Sequence, residues 1–94
     1  MGDIVNNKAH HRFELVVDGH LAAAFYKIDG NVITFMHTEV PPDIRRQGIA
    51  ARLIAGALAD VRAHGWKFRT MCPFVTSYVE RHPEVRDLLA GGDA

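Results

Sequence analysis

Residues 41–54 read PPDIRRQGIAARLI. Pro41 and Pro42 cannot donate backbone hydrogen bonds, so a preceding strand must end there. Beyond them the apolar residues recur at helical spacing, which predicts a helix from about Gly48 to His64. The stretch is therefore a strand–loop–helix junction, and two adjacent arginines lie just before the glycine that opens the helix. A junction of this kind is either a plain connection or an anion-binding site.

The chain upstream of this junction predicts an antiparallel meander. Two Asp-Gly pairs separate its apolar runs, and Asp-Gly favours the positive φ angles of tight hairpin turns. We therefore expect three strands, at about 12–17, 21–28 and 31–39. Regular alternation in the third strand would place His37 on the face opposite Thr34.

The chain downstream predicts one more strand and one more helix. WKFRTM (66–71) is strand-like, Cys72-Pro73 ends it, and a helix follows from about Phe74 to Arg81, with a last turn at 84–89. The third strand, the first helix and this fourth strand form a crossover unit, so the two strands should be parallel and the connection right-handed. The predicted fold class is α+β, a sheet with helices covering its faces.

Length and composition indicate a single domain over residues 1–94. Apolar residues make up 48% of the chain and charged residues 23%, and a chain this short has no room for a second core. Residues 1–10 and 90–94 are expected to be flexible. The formal net charge is zero, which argues against a protein that coats nucleic acid by charge. Residues 44–69 nevertheless carry six basic residues and one acid, which suits a discrete anionic ligand.

Other signals exclude several classes of protein. The single cysteine, Cys72, rules out an intrachain disulfide, and the start of the sequence lacks the pattern of a signal peptide. No apolar run approaches the roughly 20 residues that cross a bilayer, so we expect a cytoplasmic protein with no membrane partner. The histidines and Cys72 do not have the spacing of metal ligands, and we expect no metal.

The start of the first helix offers a physical basis for binding an anion. A helix N-terminus presents unpaired N–H groups and about half a positive charge. Gly48 and Ala50 are small enough to let a phosphate approach the backbone, and Arg45, Arg46 and Arg52 add charge. The alternative interpretation is that the arginines are solvated and that Gly48 only turns the chain.

Motifs along the chain resemble a known family. Arg45-x-x-Gly48-x-Ala50 is similar to the [QR]-x-x-G-x-[GA] motif of the GNAT-type N-acetyltransferases, and it lies, as there, between a meander strand and a long helix. The sequence also resembles a short branch of predicted acetyltransferases in that superfamily. The branch motifs present here are Thr38-Glu39-Val40-Pro41, Cys72-Pro73, and Tyr78 with His82-Pro83-Glu84. The resemblance covers residues 12–89.

The resemblance implies a minimal GNAT fold that uses acetyl-CoA. Such a fold is an antiparallel meander followed by a βαβ unit with splayed parallel strands, here 31–39 and 67–71, and a final helix. Loop amides would hold the pyrophosphate of coenzyme A, and the pantetheine arm would lie between the splayed strands. The implied cofactor-binding residues are Val40, Arg45, Arg46, Gln47, Gly48, Ile49, Ala50, Ala51, Arg52 and Cys72. The chain lacks the helical pair with which most GNAT enzymes help build the acceptor site.

Three residues are candidates for the chemistry of acetyl transfer, and a fourth is weighed beside them. Cys72 precedes a helix N-terminus, so it would accept the acetyl group or tune the site, unless it is simply a buried small residue. The resemblance assigns Tyr78 to protonate the departing thiolate, the alternative being a core aromatic. Glu39 would take a proton from the amine, the alternative being a solvated acid at a strand end. His37 is either a further base or a structural histidine of the sheet.

Three functions follow from these observations. The first is an acetyl-CoA-dependent N-acetyltransferase acting on an unidentified amine of a protein or a small molecule. The second is a catalytically silent module that binds coenzyme A or acetyl-CoA, which the missing helical pair suggests. The third is a nucleic-acid-binding domain, against which the scarcity of aromatic residues and the lack of an RNA-binding motif argue. The oligomeric state is open, although strand 12–17 could pair two chains if its edge were exposed.

Overall fold

The computed structural model describes residues 4–91, except for the side chains of Arg46 and Gln47. The elements in this range are β1 (Val5–Asn7), a 3-10 helix (Lys8–His10), β2 (Arg12–Val17), β3 (His20–Asp29), β4 (Val32–Glu39), a 3-10 helix (Pro42–Gln47), α1 (Ile49–Ala63), β5 (Lys67–Thr70), α2 (Pro73–Arg81) and a 3-10 helix (Pro83–Leu88). None of the helices within residues 4–91 has the length and apolar content needed to cross a bilayer.

The strands form one mixed sheet in the order β1-β2-β3-β4-β5. All neighbours are antiparallel except β4 and β5, which are parallel, so the predicted meander and crossover unit are confirmed. The first hairpin turns at Asp18 and Gly19, whose φ angles are 52° and 79°. Both values are those that a two-residue hairpin turn requires. The second turn lies one residue later than predicted, because Asp29 pairs with Val32 and leaves Gly30 and Asn31 as the loop.

No strand was predicted before residue 12, but residues 5–7, within the stretch expected to be flexible, form β1. This strand pairs with β2 from Val5 opposite Glu14 to Asn7 opposite Arg12. Asn6 also accepts a hydrogen bond of 2.6 Å from the hydroxyl of Tyr26. The prediction failed because three residues, two of them asparagine, carry no alternating pattern. Residues 1–3 lie outside the described range.

The predicted loose end is likewise anchored where the structure describes it. The backbone N–H of Ala90 donates to the carbonyl of Phe68 at 2.8 Å, and Leu89 forms an isolated parallel bridge with the same residue. The final residues of the predicted flexible tail, 92–94, are not among those described.

Both α-helices pack against one face of the sheet, which corrects the expectation that helices cover both faces. They contact each other and share one buried cluster with that face. The buried positions of α1 repeat at helical spacing, as predicted. On the opposite face, Val16 and Leu21 remain 50% and 38% exposed. The members of the cluster with the largest fully buried side chains are Phe13, Leu15, Ile33, Phe35, Ile44, Ile49, Leu53, Ile54, Leu58, Val61, Phe68 and Val75.

A β-bulge interrupts β4 and changes which way its side chains point. Tyr26 of β3 pairs with Phe35, but the preceding Phe25 pairs with His37, so Met36 has no cross-strand partner. One extra residue exchanges the faces of all positions that follow it. His37 therefore stacks on Phe25, with ring centroids 4.5 Å apart, on the same face as Thr34. The predicted opposite placement of His37 is wrong for this reason.

The bulge also marks the point where β4 and β5 separate. Their parallel pairing runs from Val32 opposite Lys67 to Phe35 opposite Thr70, and the N–H of Met71 still donates to the carbonyl of Phe35 at 2.8 Å. Beyond Phe35, β4 continues to Glu39 without pairing to β5. The two strands therefore leave a gap at their carboxyl ends.

Candidate functional site

A cleft of about 650 Å³ opens at the carboxyl end of β4. Its walls come from the end of β4, the loop that follows, the first turn of α1 and the first turn of α2. The lining residues are Leu21, Thr38, Glu39, Val40, Pro41, Arg45, Ala50 and Phe74. Four of them, Glu39, Val40, Arg45 and Ala50, were predicted as site residues from the sequence.

Gly48 sets the geometry of the α1 N-terminus beside this cleft. Its φ and ψ angles are 66° and 25°, a left-handed conformation that favours glycine. A Cβ added there would meet no atom within 4 Å, so the space outside the turn is open. No described side chain caps the first turn. The α-helical ladder begins with the N–H of Arg52 donating to the carbonyl of Gly48 at 3.1 Å, so the N–H groups of Ala50 and Ala51 precede it.

The loop before Gly48 is held in place by the chain itself. Ile44 is buried in the core, and its N–H donates to the carbonyl of Pro41 at 3.1 Å. Arg45 donates from Nε and Nη2 to the carbonyl of Val40, at 3.3 and 3.1 Å. The guanidinium of Arg45 therefore braces the loop as well as lining the cleft.

Some predicted cofactor-binding residues do not present their side chains to the cleft. Ile49 is fully buried in the core, so only its backbone could contact a ligand. Ala51 is half-buried and packs against the core, and Arg52 is exposed outside the cleft lining. The side chains of Arg46 and Gln47 lie outside the described part of the structure.

Cys72 lies behind the wall of the cleft. It is 3% exposed, and its Sγ is 3.4 Å from Oγ1 of Thr38, which does line the cleft. Its backbone is fixed by two threonines: Thr70 Oγ1 accepts from its N–H at 3.1 Å, and Thr76 Oγ1 donates to its carbonyl at 3.1 Å. The structure therefore brings Cys72 to the site, but through Thr38.

Glu39 and His37 form a pair at the mouth of the cleft. Oε2 of Glu39 is 3.0 Å from Nε2 of His37, and the side chains are 65% and 55% exposed. The ring of His37 is held by its stack on Phe25. The two side chains present proton-accepting groups next to the cleft, and the carboxylate also suits a positively charged amine.

Tyr78 lies outside the cleft. It is 6% exposed, and its ring stacks on His82 with centroids 4.0 Å apart. It lines a separate hollow between α1 and α2, together with residues such as Leu58 and Val85. Burial raises the pKa of Tyr78, and the charge of Glu84 adds to that rise. The structure therefore does not place Tyr78 among the residues of the cleft, contrary to the sequence prediction.

Comparison with known proteins bears on this arrangement. The family model described as GCN5-related N-acetyl-transferase matches residues 12–88, which is most of the chain. This chain belongs to the GCN5-related N-acetyltransferase family. It is therefore a GNAT-type acyltransferase, and its βαβ unit with separating parallel strands is the GNAT fold that the resemblance implied.

One solved structure shows the same GNAT fold over nearly the whole chain. It is the solution NMR structure of a GCN5-like candidate N-acetyltransferase from Staphylococcus aureus, 23% identical in sequence with a TM-score of 0.72. The match covers 97% of this chain and 90% of the other. The common fold is therefore as short in the second protein as it is here.

The other four residues that line the cleft of this GNAT protein were not predicted from the sequence. Thr38 was noted only as a letter of a motif and Phe74 only as the start of a helix, and Leu21 and Pro41 were not considered as ligand contacts. Regular alternation gives no warning that a bulge precedes Thr38, so its direction could not be read from the strand pattern. Phe74 follows Cys72-Pro73, and that position was the available signal.

Proposed function

We propose that this GNAT-type protein is an N-acetyltransferase that uses acetyl-CoA and transfers the acetyl group to a primary amine. The observation that carries the proposal is one continuous cleft with the Glu39–His37 pair at its mouth and, at its other end, a helix N-terminus that no described side chain caps. Such a cleft joins an anion-binding end to a proton-accepting end. Both ends are needed when a thioester that carries phosphates donates its acetyl group to an amine.

The residues around Gly48 fit the pyrophosphate of coenzyme A. The N–H groups of the first turn lie before the α-helical ladder, and the helix dipole favours a negative charge there. Ala50 leaves the approach open, and a Cβ added at Gly48 would meet no atom within 4 Å. Arg45 would add positive charge while bracing the loop, and exposed Arg52 is available to a further phosphate. The side chains of Arg46 and Gln47 stay in the proposal on the resemblance alone.

The residues at the mouth of the cleft would handle the amine. Acetyl-CoA, when bound, supplies an activated acyl group. Glu39 would accept a proton from the incoming amine, and His37, hydrogen-bonded to it at 3.0 Å, would share that proton. Both side chains are more than half exposed, so the proton can pass on to solvent. The phenyl ring of Phe74 and the methyl groups of Leu21 and Val40 would exclude water from the acyl group.

A second candidate function is a coenzyme A-binding module without transferase activity. The connection between β1 and β2 is a single 3-10 helix, Lys8–His10, with no helical pair of the kind that helps most GNAT enzymes build an acceptor site. A module of this kind would bind acetyl-CoA in the same cleft without transferring the acetyl group to any amine.

Thermal unfolding with acetyl-CoA, and with adenosine as a control, tests the binding half of the proposal. At 100 times the dissociation constant, the ligand should stabilise the fold by about 2.7 kcal/mol, which is several degrees in a domain of this size. Ala50→Glu should abolish this shift, because a carboxylate would occupy the cleft and repel the phosphates. Folding should survive, since a negative charge is favourable at a helix N-terminus.

The matched control is Ala55→Glu, which adds the same charge to an exposed position of the same helix. This variant should keep the full shift with acetyl-CoA. If the unaltered protein shows no shift at millimolar acetyl-CoA, both candidate functions are wrong.

Release of free coenzyme A thiol in the presence of lysine peptides, polyamines and small amines tests the catalytic half. Amine-dependent release that Ala50→Glu abolishes supports the transferase. A full thermal shift with no release for any amine would favour the silent binding module instead.

A further inference from the structure

Thr38 is the polar side chain that connects the cleft to Cys72. The bulge at Met36 turns it to the helix side of the sheet, where it pairs with Ala24, and it lines the cleft. Its Oγ1 lies 3.4 Å from Sγ of Cys72, close enough for a hydrogen bond that involves sulfur. A group bound in the cleft would therefore meet the threonine hydroxyl before it met the thiol.

The chemistry of a hydroxyl suits this intermediate position. It carries one donor hydrogen and two acceptor sites, so it can donate to one neighbour while accepting from another. The thiol of Cys72 can donate to it. Among the described residues, Thr38 is the one whose side chain lies within hydrogen-bonding distance of Cys72 Sγ. The sulfur does not cap α2.

We propose that Thr38 is a catalytic residue that protonates the thiolate departing from acetyl-CoA, with Cys72 as the group that returns a proton to Thr38. The proposal rests on the proposed acetyl transfer. The amine nitrogen forms a bond to the acyl carbon, and the carbon–sulfur bond breaks with its electron pair on sulfur. The Thr38 O–H proton goes to that sulfur, and the Cys72 S–H proton goes to the Thr38 oxygen. After the products leave, the Cys72 thiolate regains a proton from solvent through the Thr38 hydroxyl, and solvent receives the amine proton released through Glu39.

This role differs from an acetyl carrier for Cys72. A thiol that is 3% exposed and shielded by Thr38 is poorly placed to attack a thioester, but it needs no access to pass a proton through the hydroxyl. The placement of Tyr78 agrees with this assignment, because that side chain lines the separate hollow between the helices. The relay thus supplies the leaving-group proton from residues that the cleft does contain.

Steady-state kinetics of four variants would test the relay. Thr38→Val removes the hydroxyl and should lower kcat roughly 10²-fold or more, as loss of a general acid does. Thr38→Ser keeps the hydroxyl and should retain most of kcat. Cys72→Ser keeps a donor in the same place and should be more active than Cys72→Ala. The matched control is Thr34→Val, which is on the same strand but faces away from the helices, and it should leave kcat unchanged.

Binding and covalent chemistry keep this test separate from the test of the proposed function. Thr38→Val should keep the thermal shift with acetyl-CoA, so that the loss lies in kcat and not in KM. The relay is wrong if Thr38→Val turns over at the normal rate, or if its defect is confined to KM. An acetyl group found on Cys72 by mass spectrometry after a rapid quench would also overturn it. By contrast, loss of the thermal shift in the unaltered protein would overturn the proposed function itself.

Discussion

A methyl group added at Gly48, at the start of α1, would meet no atom within 4 Å, whereas one added at Gly56, two turns later, would lie 2.2 Å from Cγ1 of Ile4. The first glycine borders open space next to the cleft. The second is a notch in α1 that is filled by the segment leading into β1. The same residue type thus lies in open space at one end of the helix and makes room for the chain itself further along it.

The polar groups at the two ends of α1 differ in the same way. No described side chain caps its first turn. Near its last turn, Arg62 donates to both carboxylate oxygens of Asp87, at 2.9 and 3.0 Å, and to the carbonyl of Glu84 at 3.0 Å. Lys67 donates to the carbonyl of Asp87 at 2.9 Å. The hydrogen-bonding groups near the last turn are satisfied within the protein, whereas no described side chain satisfies those of the first turn beside the cleft.

Replacing Gly56 by alanine is expected to have the largest effect on the free energy of unfolding. Alanine in a helix interior is normally worth about 1 kcal/mol over glycine, but here its methyl would overlap Ile4, and overpacking costs about 1–3 kcal/mol. We expect Gly56→Ala to lower the free energy of unfolding by about 1 kcal/mol. The measurement is urea unfolding, alongside the thermal shift with acetyl-CoA, which should not change.

A double-mutant cycle with Ile4→Ala would sharpen this prediction. With Ile4 shortened, the overlap is relieved and the helix preference remains, so Gly56→Ala should stabilise the protein in that background. The same sign of effect in both backgrounds would mean that Ile4 does not occupy the notch.

An intermediate effect is expected at Glu14, which helps tie β1 to β2. It accepts hydrogen bonds from Asn7 Nδ2 at 2.9 Å and Arg12 Nε at 2.6 Å, and these bonds lower the pKa of Glu14 below its ordinary value of 4.5. A lowered pKa in the folded state contributes stability that is present above the ordinary pKa and is lost as the pH falls through the folded value. Glu14→Gln should therefore cost about 0.5 kcal/mol at neutral pH, the usual size for an ion pair near the surface.

The pH dependence distinguishes this effect from general weakening. The difference in unfolding free energy between Glu14→Gln and the unaltered protein should shrink as the pH drops below 4.5. A difference that stays constant down to pH 2.5, roughly two units below the ordinary value, would show that the carboxylate charge is not responsible.

The smallest effect is expected at Tyr78, although the family motif points to it. Because its side chain lines the hollow between α1 and α2, Tyr78→Phe should change neither kcat nor the thermal shift with acetyl-CoA. A fall in kcat comparable with that of Thr38→Val would return Tyr78 to the catalytic site and weaken the relay through Thr38.

Local signals predicted the elements that are set by local chemistry. Pro41 and Pro42 mark the end of β4, Gly48 and Gly65 bound α1, and Asp18-Gly19 turns the first hairpin. Each of these residues acts through its own backbone preferences. The loop before Gly48 and the position of Glu39 were predicted for the same reason, since prolines and glycines locate the ends of strands and the starts of helices.

Features set by distant partners were not predictable in this way. β1 exists because Val5–Asn7 pairs with β2, Tyr26 bonds to Asn6, and Ile4 fits the notch at Gly56. The bond from Arg45 to the Val40 carbonyl also depends on how the loop folds back on itself. In both cases the sequence supplies the groups, but the distances arise only from tertiary packing.

The bulge at Met36 makes the length of β4 matter as much as its composition. Side chains of a strand alternate between its two faces, and the extra residue at Met36 offsets the sequence alternation for every position that follows. Removing Met36 would restore a regular ladder, because Phe35 and His37 already oppose the adjacent residues Tyr26 and Phe25, and Thr38 and Glu39 would keep their present faces. A relative with a one-residue gap at this point can therefore present the same two side chains, on a strand that lacks the bend of the bulge.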